Sequence, residues 1–193
     1  MTLLRCVALL ALTYTAALLL GFCLYVGLIR SPMLADMPVL FYRGLALAFV
    51  AALLLCSVGA ILRRRLGLDI STLLGAVTIS LSFNICFLVI FPVTFDRSIT
   101  MFLLARIERQ DGQLDRKGLE GVFVTEYLDE MQQIDRRIAE QSLSGNIRVS
   151  HGRISITPQG KQLLAGARTI GAWFDTDPRF ITAAPEPAFD SKR

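Results

Sequence analysis

The sequence is poor in the residues from which most catalytic and metal sites are built. It contains one histidine, His151, and four cysteines that all lie in long apolar stretches. It has no Cys-x-x-Cys or His-Glu-x-x-His pattern, no phosphate-binding glycine loop and no nucleophile with an identifiable base partner. These absences argue against a zinc domain, a disulfide-stapled domain and the common hydrolases. We therefore predict a protein that is not an enzyme and needs no cofactor or metal.

Charge is absent from three long runs, at residues 6–29, 44–62 and 70–93. Each run is close to the roughly 20 residues that an α-helix needs to cross about 30 Å of hydrocarbon. The mean hydropathy of the chain is +0.54 and 53% of its residues are hydrophobic, which is too apolar for a soluble globule of 193 residues. The sequence thus predicts an α-helical membrane domain with three transmembrane helices over residues 1–95.

Small or weakly polar residues recur at every fourth position in each predicted span. Such a stripe lets helix backbones approach closely, so we predict helix packing through it, either within the chain or against a partner. The asparagine in the third span is best explained by a hydrogen bond between helices rather than by transport. The predicted packing residues are Thr13, Ala17 and Gly21, then Gly44, Ala48, Ala52, Cys56 and Ala60, then Thr72, Ala76, Ser80 and Asn84.

The orientation in the membrane follows from where the arginines lie. Four of them, Arg5 and the triplet Arg63, Arg64 and Arg65, fall on one side, and two, Arg30 and Arg43, fall on the other. The positive-inside rule then places the N-terminus in the cytoplasm and the C-terminal domain outside it. Counting the three arginines that follow the third span closely, Arg97, Arg106 and Arg109, reverses this balance and leaves the opposite orientation open.

Residues 96–193 contain 14 basic and 14 acidic side chains, so the basic character of the chain belongs to its membrane part. Periodicity predicts helices over 98–109, 116–128 and 130–141, strands at 147–149 and 154–156, and a last helix from Pro158 to about residue 174. The turn between the strands, His151-Gly152, needs residues that tolerate positive φ. Residues 175–193 are predicted to be a flexible tail, and we interpret the Asp175-Thr176-Asp177 segment as a coincidental match to a metal-binding pattern.

Three short segments in this region resemble the winged-helix superfamily over about residues 98–173. They are Arg136-Arg137-Ile138, Ser144-Gly145-Asn146-Ile147 and Ile156-Thr157-Pro158-Gln159-Gly160-Lys161. The resemblance implies a small α+β winged-helix-like domain at residues 96–174. With the spans and the Asp96-Arg97-Ser98-Ile99 junction, the whole chain is also similar to small bacterial membrane proteins that carry such a domain and accompany envelope-polysaccharide genes. That likeness implies an accessory role in the inner membrane.

Two functions compete on these observations. The first is a non-catalytic accessory or scaffold subunit that contacts membrane lipid, packs its small-residue stripes against a membrane-protein partner or a second copy, and docks protein through its soluble domain. The alternative is a membrane-tethered transcription regulator that binds DNA. Its candidate contacts, which could equally serve docking, are Arg136, Arg137, Arg148 and Arg153. Four acidic residues between Asp129 and Glu140 disfavour phosphate binding by the third helix.

Overall fold

The computed structural model describes residues 3–182, without the side chains of Leu3, Cys6, Arg64 and Leu66. The chain is mostly helical, with one small two-stranded sheet, and it divides into two compact units. The first unit extends to Ala105 and the second begins at Arg106. The division therefore falls inside a helix and not at residue 95, where the sequence changes from apolar to charged.

Three long helices form the first unit: α1 (Leu3–Arg30), α2 (Leu40–Leu66) and α3 (Ile70–Leu88). Within the described residues, three helical stretches are long and apolar enough to cross a membrane, and they are Val7–Arg30, Leu40–Arg63 and Ile70–Arg97. The three predicted spans are therefore helical and able to cross a membrane, which indicates a membrane protein. The connection from α2 to α3 is short because Gly67 adopts a left-handed conformation and Asp69 caps α3 by accepting a hydrogen bond from the Thr72 amide.

The third span continues beyond the predicted residue 93. After Leu88 the helix widens into a π-helical segment, Val89–Val93, and then resumes as α4 (Thr94–Arg97). The widening surrounds Pro92, which has no amide hydrogen and whose ring would collide with the preceding turn of a regular α-helix. The proline therefore deforms this span without ending it.

Helix α5 (Ile99–Arg109) crosses the division, and its start is capped by Ser98, whose hydroxyl accepts a hydrogen bond from the Met101 amide at 3.2 Å. The second unit continues with α6 (Arg116–Val122), a π-helical segment (Phe123–Glu130), α7 (Gln133–Leu143), β1 (Ile147–Ser150), β2 (Arg153–Ile156) and α8 (Pro158–Trp173). A short 3-10 helix, Pro178–Phe180, follows.

Two predicted helix boundaries in this unit are wrong. Glu130 belongs to the π-helical segment that prolongs α6, so the second helical stretch is longer than predicted. Gln132 has a φ of 48°, a left-handed conformation that separates the two helices, and α7 consequently begins at Gln133. The composition of this stretch is compatible with either boundary, and only the backbone geometry distinguishes them.

The predicted hairpin is present. Strands β1 and β2 are antiparallel, with Val149 opposite Ile154, and the turn residues His151 and Gly152 both have positive φ, as a two-residue turn of this hand requires. Residues opposite one another, and residues two apart on one strand, point to the same face. One face therefore carries only aliphatic side chains and the other only polar ones: Ile147, Val149, Ile154 and Ile156 against Arg148, Ser150, Arg153 and Ser155.

Candidate functional site

In the interior of the first unit, large side chains pack against small ones. Its core cluster consists of Tyr25 from α1 and of Leu47, Ala48 and Ala51 from α2. The contacts also fix the directions of the helices. Tyr14 and Gly21 of α1 lie beside Gly75 and Ser80 of α3. Gly44 and Gly59 of α2 lie beside Leu88 and Leu73 of α3. Helices α1 and α3 therefore run parallel, with α2 antiparallel to both.

Most of the predicted packing residues lie inside this bundle. Gly21, Gly44, Ala48, Ala52, Ala76, Ser80 and Asn84 are buried, and Thr13, Ala17, Cys56 and Thr72 are half-buried. Ala60 is exposed, which differs from the predicted ridge of α2. The reason is geometric, because residues four apart on a helix are rotated by about 40° at each step. At Ala60 the stripe therefore no longer points into the bundle, and the neighbouring Gly59 faces Leu73 of α3 instead.

Glycines allow close contacts between the helices. A methyl group placed on Gly21 would overlap the Ser80 hydroxyl oxygen, and one placed on Gly44 would lie 2.6 Å from Leu88 Cδ1. Leu88 itself is only 1% exposed. The buried small residues thus serve contacts between helices of the same chain.

A polar layer crosses the bundle at the same level. Asn84 is 1% exposed, and its Nδ2 donates to the Gly21 carbonyl oxygen at 3.4 Å, the helix-to-helix hydrogen bond that the sequence suggested. Its Oδ1 and the Tyr25 hydroxyl are buried without a hydrogen-bond partner among the described residues. Because buried polar groups are costly in hydrocarbon, this layer favours one relative placement of α1 and α3.

The arginines counted for orientation have different surroundings. Arg43 Nη2 donates to the carbonyl oxygens of Ile29 and Ser31, at 3.2 and 2.8 Å, and thereby holds the connection between α1 and α2. Sequence analysis missed this role, and the only signal for it was the position of an arginine just after a proline-containing loop. At the other end of α2, Arg63 is half-buried and Arg65 exposed, and the Arg64 side chain lies outside the described residues.

The candidate arginines of the second unit fall into two pairs. Arg137 Nη1 lies 3.0 Å from Glu140 Oε2, and Arg136 Nε lies 3.4 Å from Oε1 of the same carboxylate. Glu140 is buried, and both arginines of α7 are therefore ion-paired with the same carboxylate inside the domain. Arg148 and Arg153 are exposed together on the polar face of the hairpin.

The second unit exposes a connected apolar surface. A groove of about 290 Å³ runs between the hairpin and α8, with Ile156 and Leu163 among its walls. From there the aliphatic face of the hairpin extends to Val149 and Ile154, and the apolar side of α8 extends to Ile170 and to Phe174, the residue that follows the helix. We name this the hairpin–α8 surface: Val149, Ile154, Ile156, Leu163, Ile170 and Phe174, each between 46% and 75% exposed. The sequence predicted the α8 face from its periodicity, but not that it would remain uncovered.

In the acidic segment after α8, Asp177 is paired with Arg179. Both carboxylate oxygens of Asp177 accept from Arg179 Nε, at 3.0 and 2.9 Å. The Arg179 guanidinium holds the pKa of Asp177 below its usual value. The Thr176 amide donates to the Gly171 carbonyl oxygen, so residues 175–182 fold back against the end of α8. Residues 183–193 of the predicted tail lie outside the described part of the chain.

No protein-family model, curated protein or solved structure matches this chain. The geometry itself defines the class: a membrane protein with three helices able to span the bilayer and a small helical unit that carries one hairpin.

Proposed function

We propose that this protein is a non-catalytic membrane accessory subunit that docks another protein through the hairpin–α8 surface. The second unit is proposed to be winged-helix-like, because three helical stretches precede the hairpin and one follows it. The cap of the last helix also supports this, since Thr157 Oγ1 accepts from the Gly160 amide at 3.1 Å. A setting in the bacterial inner membrane beside envelope-polysaccharide machinery rests on the resemblance in layout alone.

The observation that carries the proposal is the exposure of the hairpin–α8 surface. Burying one such side chain contributes roughly 1.5–3 kcal/mol, so an uncovered row of them favours association strongly. Exposed apolar patches on a water-soluble unit mark binding surfaces more often than isolated apolar residues do. The proposed partner is a protein with a complementary apolar groove or helix.

The electrostatics favour protein over DNA. Arg136 and Arg137 are paired with Glu140. The remaining candidates for contact with DNA are Arg148 and Arg153, which lie on the polar face of the hairpin. Those two lie on the face opposite Val149 and Ile154, so the apolar surface and the basic surface are separate. Binding to a polyanion needs several cations acting together, and this part of the chain has no net charge.

Site-specific photo-crosslinking in the native membrane tests the proposal. A photoreactive residue is placed at Val149 or, as a matched control one position along the same strand, at Arg148. We expect a discrete protein adduct from Val149 and little from Arg148. Leu163→Ser should weaken the Val149 adduct, because Leu163 belongs to the same apolar surface and lines the groove beside the hairpin. Equal adducts from both positions would contradict the proposed surface.

Topology separates the proposal from its alternative. Reporters active only in the cytoplasm or only outside it are fused after Arg193, and we propose that the outward reporter will be active. A regulator requires the cytoplasmic side, and it also requires salt-dependent DNA binding that Arg148→Ala and Arg153→Ala weaken. A cytoplasmic domain without such binding would keep the docking function and reverse only the orientation.

A further inference from the structure

A groove opens on the first unit near the basic ends of its helices. It has a volume of about 370 Å³, within the range of sites that hold small ligands. Its walls are aliphatic, formed mainly by Leu9, Leu12 and Ala16 of α1, Val58 and Leu62 of α2, and Leu73 of α3. Thr13 is the one polar residue among the described residues that line it, and its hydroxyl already donates to the Leu9 carbonyl oxygen at 2.8 Å. The groove therefore suits a hydrocarbon chain and offers a polar ligand no hydrogen bond.

Positive charge lies at the mouth of this groove. A second pocket shares Leu9 and Leu12 with it and is also lined by Arg5, one turn earlier on α1. On α2, Arg63 directly follows Leu62, and Arg65 is exposed two residues later. The acidic residue of the α2–α3 connection, Asp69, accepts hydrogen bonds from the Ser71 hydroxyl and the Thr72 amide and so is engaged in capping α3.

We propose that this groove binds an anionic phospholipid, with one acyl chain between α1 and α2 and the phosphate between Arg5 and two arginines of α2, Arg63 and Arg65. A phospholipid is the occupant whose two parts match the two parts of the site. Its chain fills an apolar groove at the depth of the bilayer, and its phosphate meets guanidinium groups, which bind phosphate oxygens through paired donors. Cations near a membrane surface add to this attraction for anionic headgroups.

Native mass spectrometry of the full-length protein in detergent tests the inference, with phosphatidylglycerol and phosphatidylcholine titrated separately. We expect a one-to-one phosphatidylglycerol adduct at about a tenfold lower lipid concentration than the phosphatidylcholine adduct. The double variant Arg5→Gln, Arg65→Gln should bring the two lipids within about twofold. Arg30→Gln, at the opposite end of α1, is the matched control and should leave the preference unchanged.

A second pair of variants tests the chain-binding part. Ala16→Leu fills the groove and should weaken both lipids about tenfold, whereas Ala60→Leu makes the same change at an exposed position outside the lining residues and should have no effect. Both alanines are exposed, and far-UV circular dichroism checks that the helices persist. If Ala16→Leu unfolds the protein, the inference is judged from the lipid preference of the arginine variants.

Three results would overturn the inference. The first is equal affinity of the wild-type protein for the two lipids. The second is a loss in Ala60→Leu as large as that in Ala16→Leu. The third is a dimer that Ala16→Leu converts to a monomer with lipid binding unchanged, which would assign the groove to a second copy of the chain.

Discussion

The two units of this protein treat their apolar side chains in opposite ways. In the first unit, Leu47, Ala48 and Leu88 are almost completely enclosed between helices, while the exposed leucines and isoleucines lie on helices able to span a membrane. In the second unit Tyr127 is buried, yet the aliphatic face of the hairpin and one face of α8 are open. An exposed leucine therefore has a different energetic consequence in each unit. On a membrane-spanning helix it contacts hydrocarbon, whereas in the second unit it contacts water, and covering it there is favourable.

Polar contacts compensate for the thin core of the second unit. Asn146 Nδ2 donates to Gln141 Oε1 at 2.9 Å, and Gln159 Nε2 donates to the Ser144 carbonyl oxygen at 2.9 Å. Thr157 Oγ1 adds a hydrogen bond to the Gly145 carbonyl oxygen at 2.7 Å. These bonds join α7, the hairpin and α8. The first unit is thus held by close packing and the second largely by hydrogen bonds around one turn.

The largest expected effect tests close packing in the first unit. Gly21→Leu should lower the free energy of unfolding by about 3 kcal/mol, because its side chain would collide with Ser80 and Leu55. Gly27→Leu is the matched control on the same helix, where no neighbouring atom lies within 4 Å of an added Cβ and the residue is exposed. It should be neutral or slightly stabilising, since leucine favours helix more than glycine does. Unfolding in detergent monitored by circular dichroism measures both free energies. Equal losses in the two variants would contradict close packing at Gly21, and with it the proposed difference between the two units.

A second pair of variants compares the inside and outside of α2. Ala52 is 8% exposed and Leu54 is 43% exposed. Ala52→Trp should cost about 2 kcal/mol in the same unfolding experiment, as overpacking of a filled interior does, whereas Leu54→Trp should cost little. Comparable tolerance at the two positions would contradict the burial of the α2 ridge.

The hydrogen-bonded turn of the second unit gives a smaller effect. Thr157→Ala removes a helix cap and a bond to Gly145, and we expect a loss of about 1 kcal/mol. Thr157→Ser keeps the hydroxyl and should retain most of the stability. Hydrogen exchange at the amides of the hairpin and of the first turn of α8 reports this locally. Faster exchange confined to α1–α3 would show that the turn does not hold the second unit.

The smallest effect is a pH dependence at the start of α3. Hydrogen bonds from Thr72 and Ser71 hold the pKa of Asp69 below its ordinary value. A depressed pKa in the folded state stabilises the protein above the unfolded-state pKa, and this contribution disappears as the pH falls through the folded-state value. The melting temperature of wild type should therefore exceed that of Asp69→Asn at pH 6 by more than at pH 3. A difference independent of pH would exclude a role for the charge.

Sequence patterns predicted some of these features well because they depend on local chemistry. The charge-free runs identified the spans, and alternation around His151-Gly152 identified the hairpin and its turn. The π-helical segment around Pro92 was missed, since a proline in an apolar run is compatible with an end, a kink or a widened turn. The boundary at Gln132 was missed for a similar reason, because a left-handed glutamine leaves no compositional trace.

By itself the sequence determined how many helices can cross a membrane, where the small residues lie along them, and which face of the hairpin is aliphatic. Each of these follows from residue type and the fixed repeat of a helix or strand. Only the tertiary structure decided that Gly21 meets Ser80 while Ala60 faces outward, that Glu140 pairs with two arginines, and that the described residues leave the hairpin–α8 surface exposed. Those outcomes depend on which elements become neighbours, and burial, charge compensation and exposure are properties of pairs of elements rather than of any one of them.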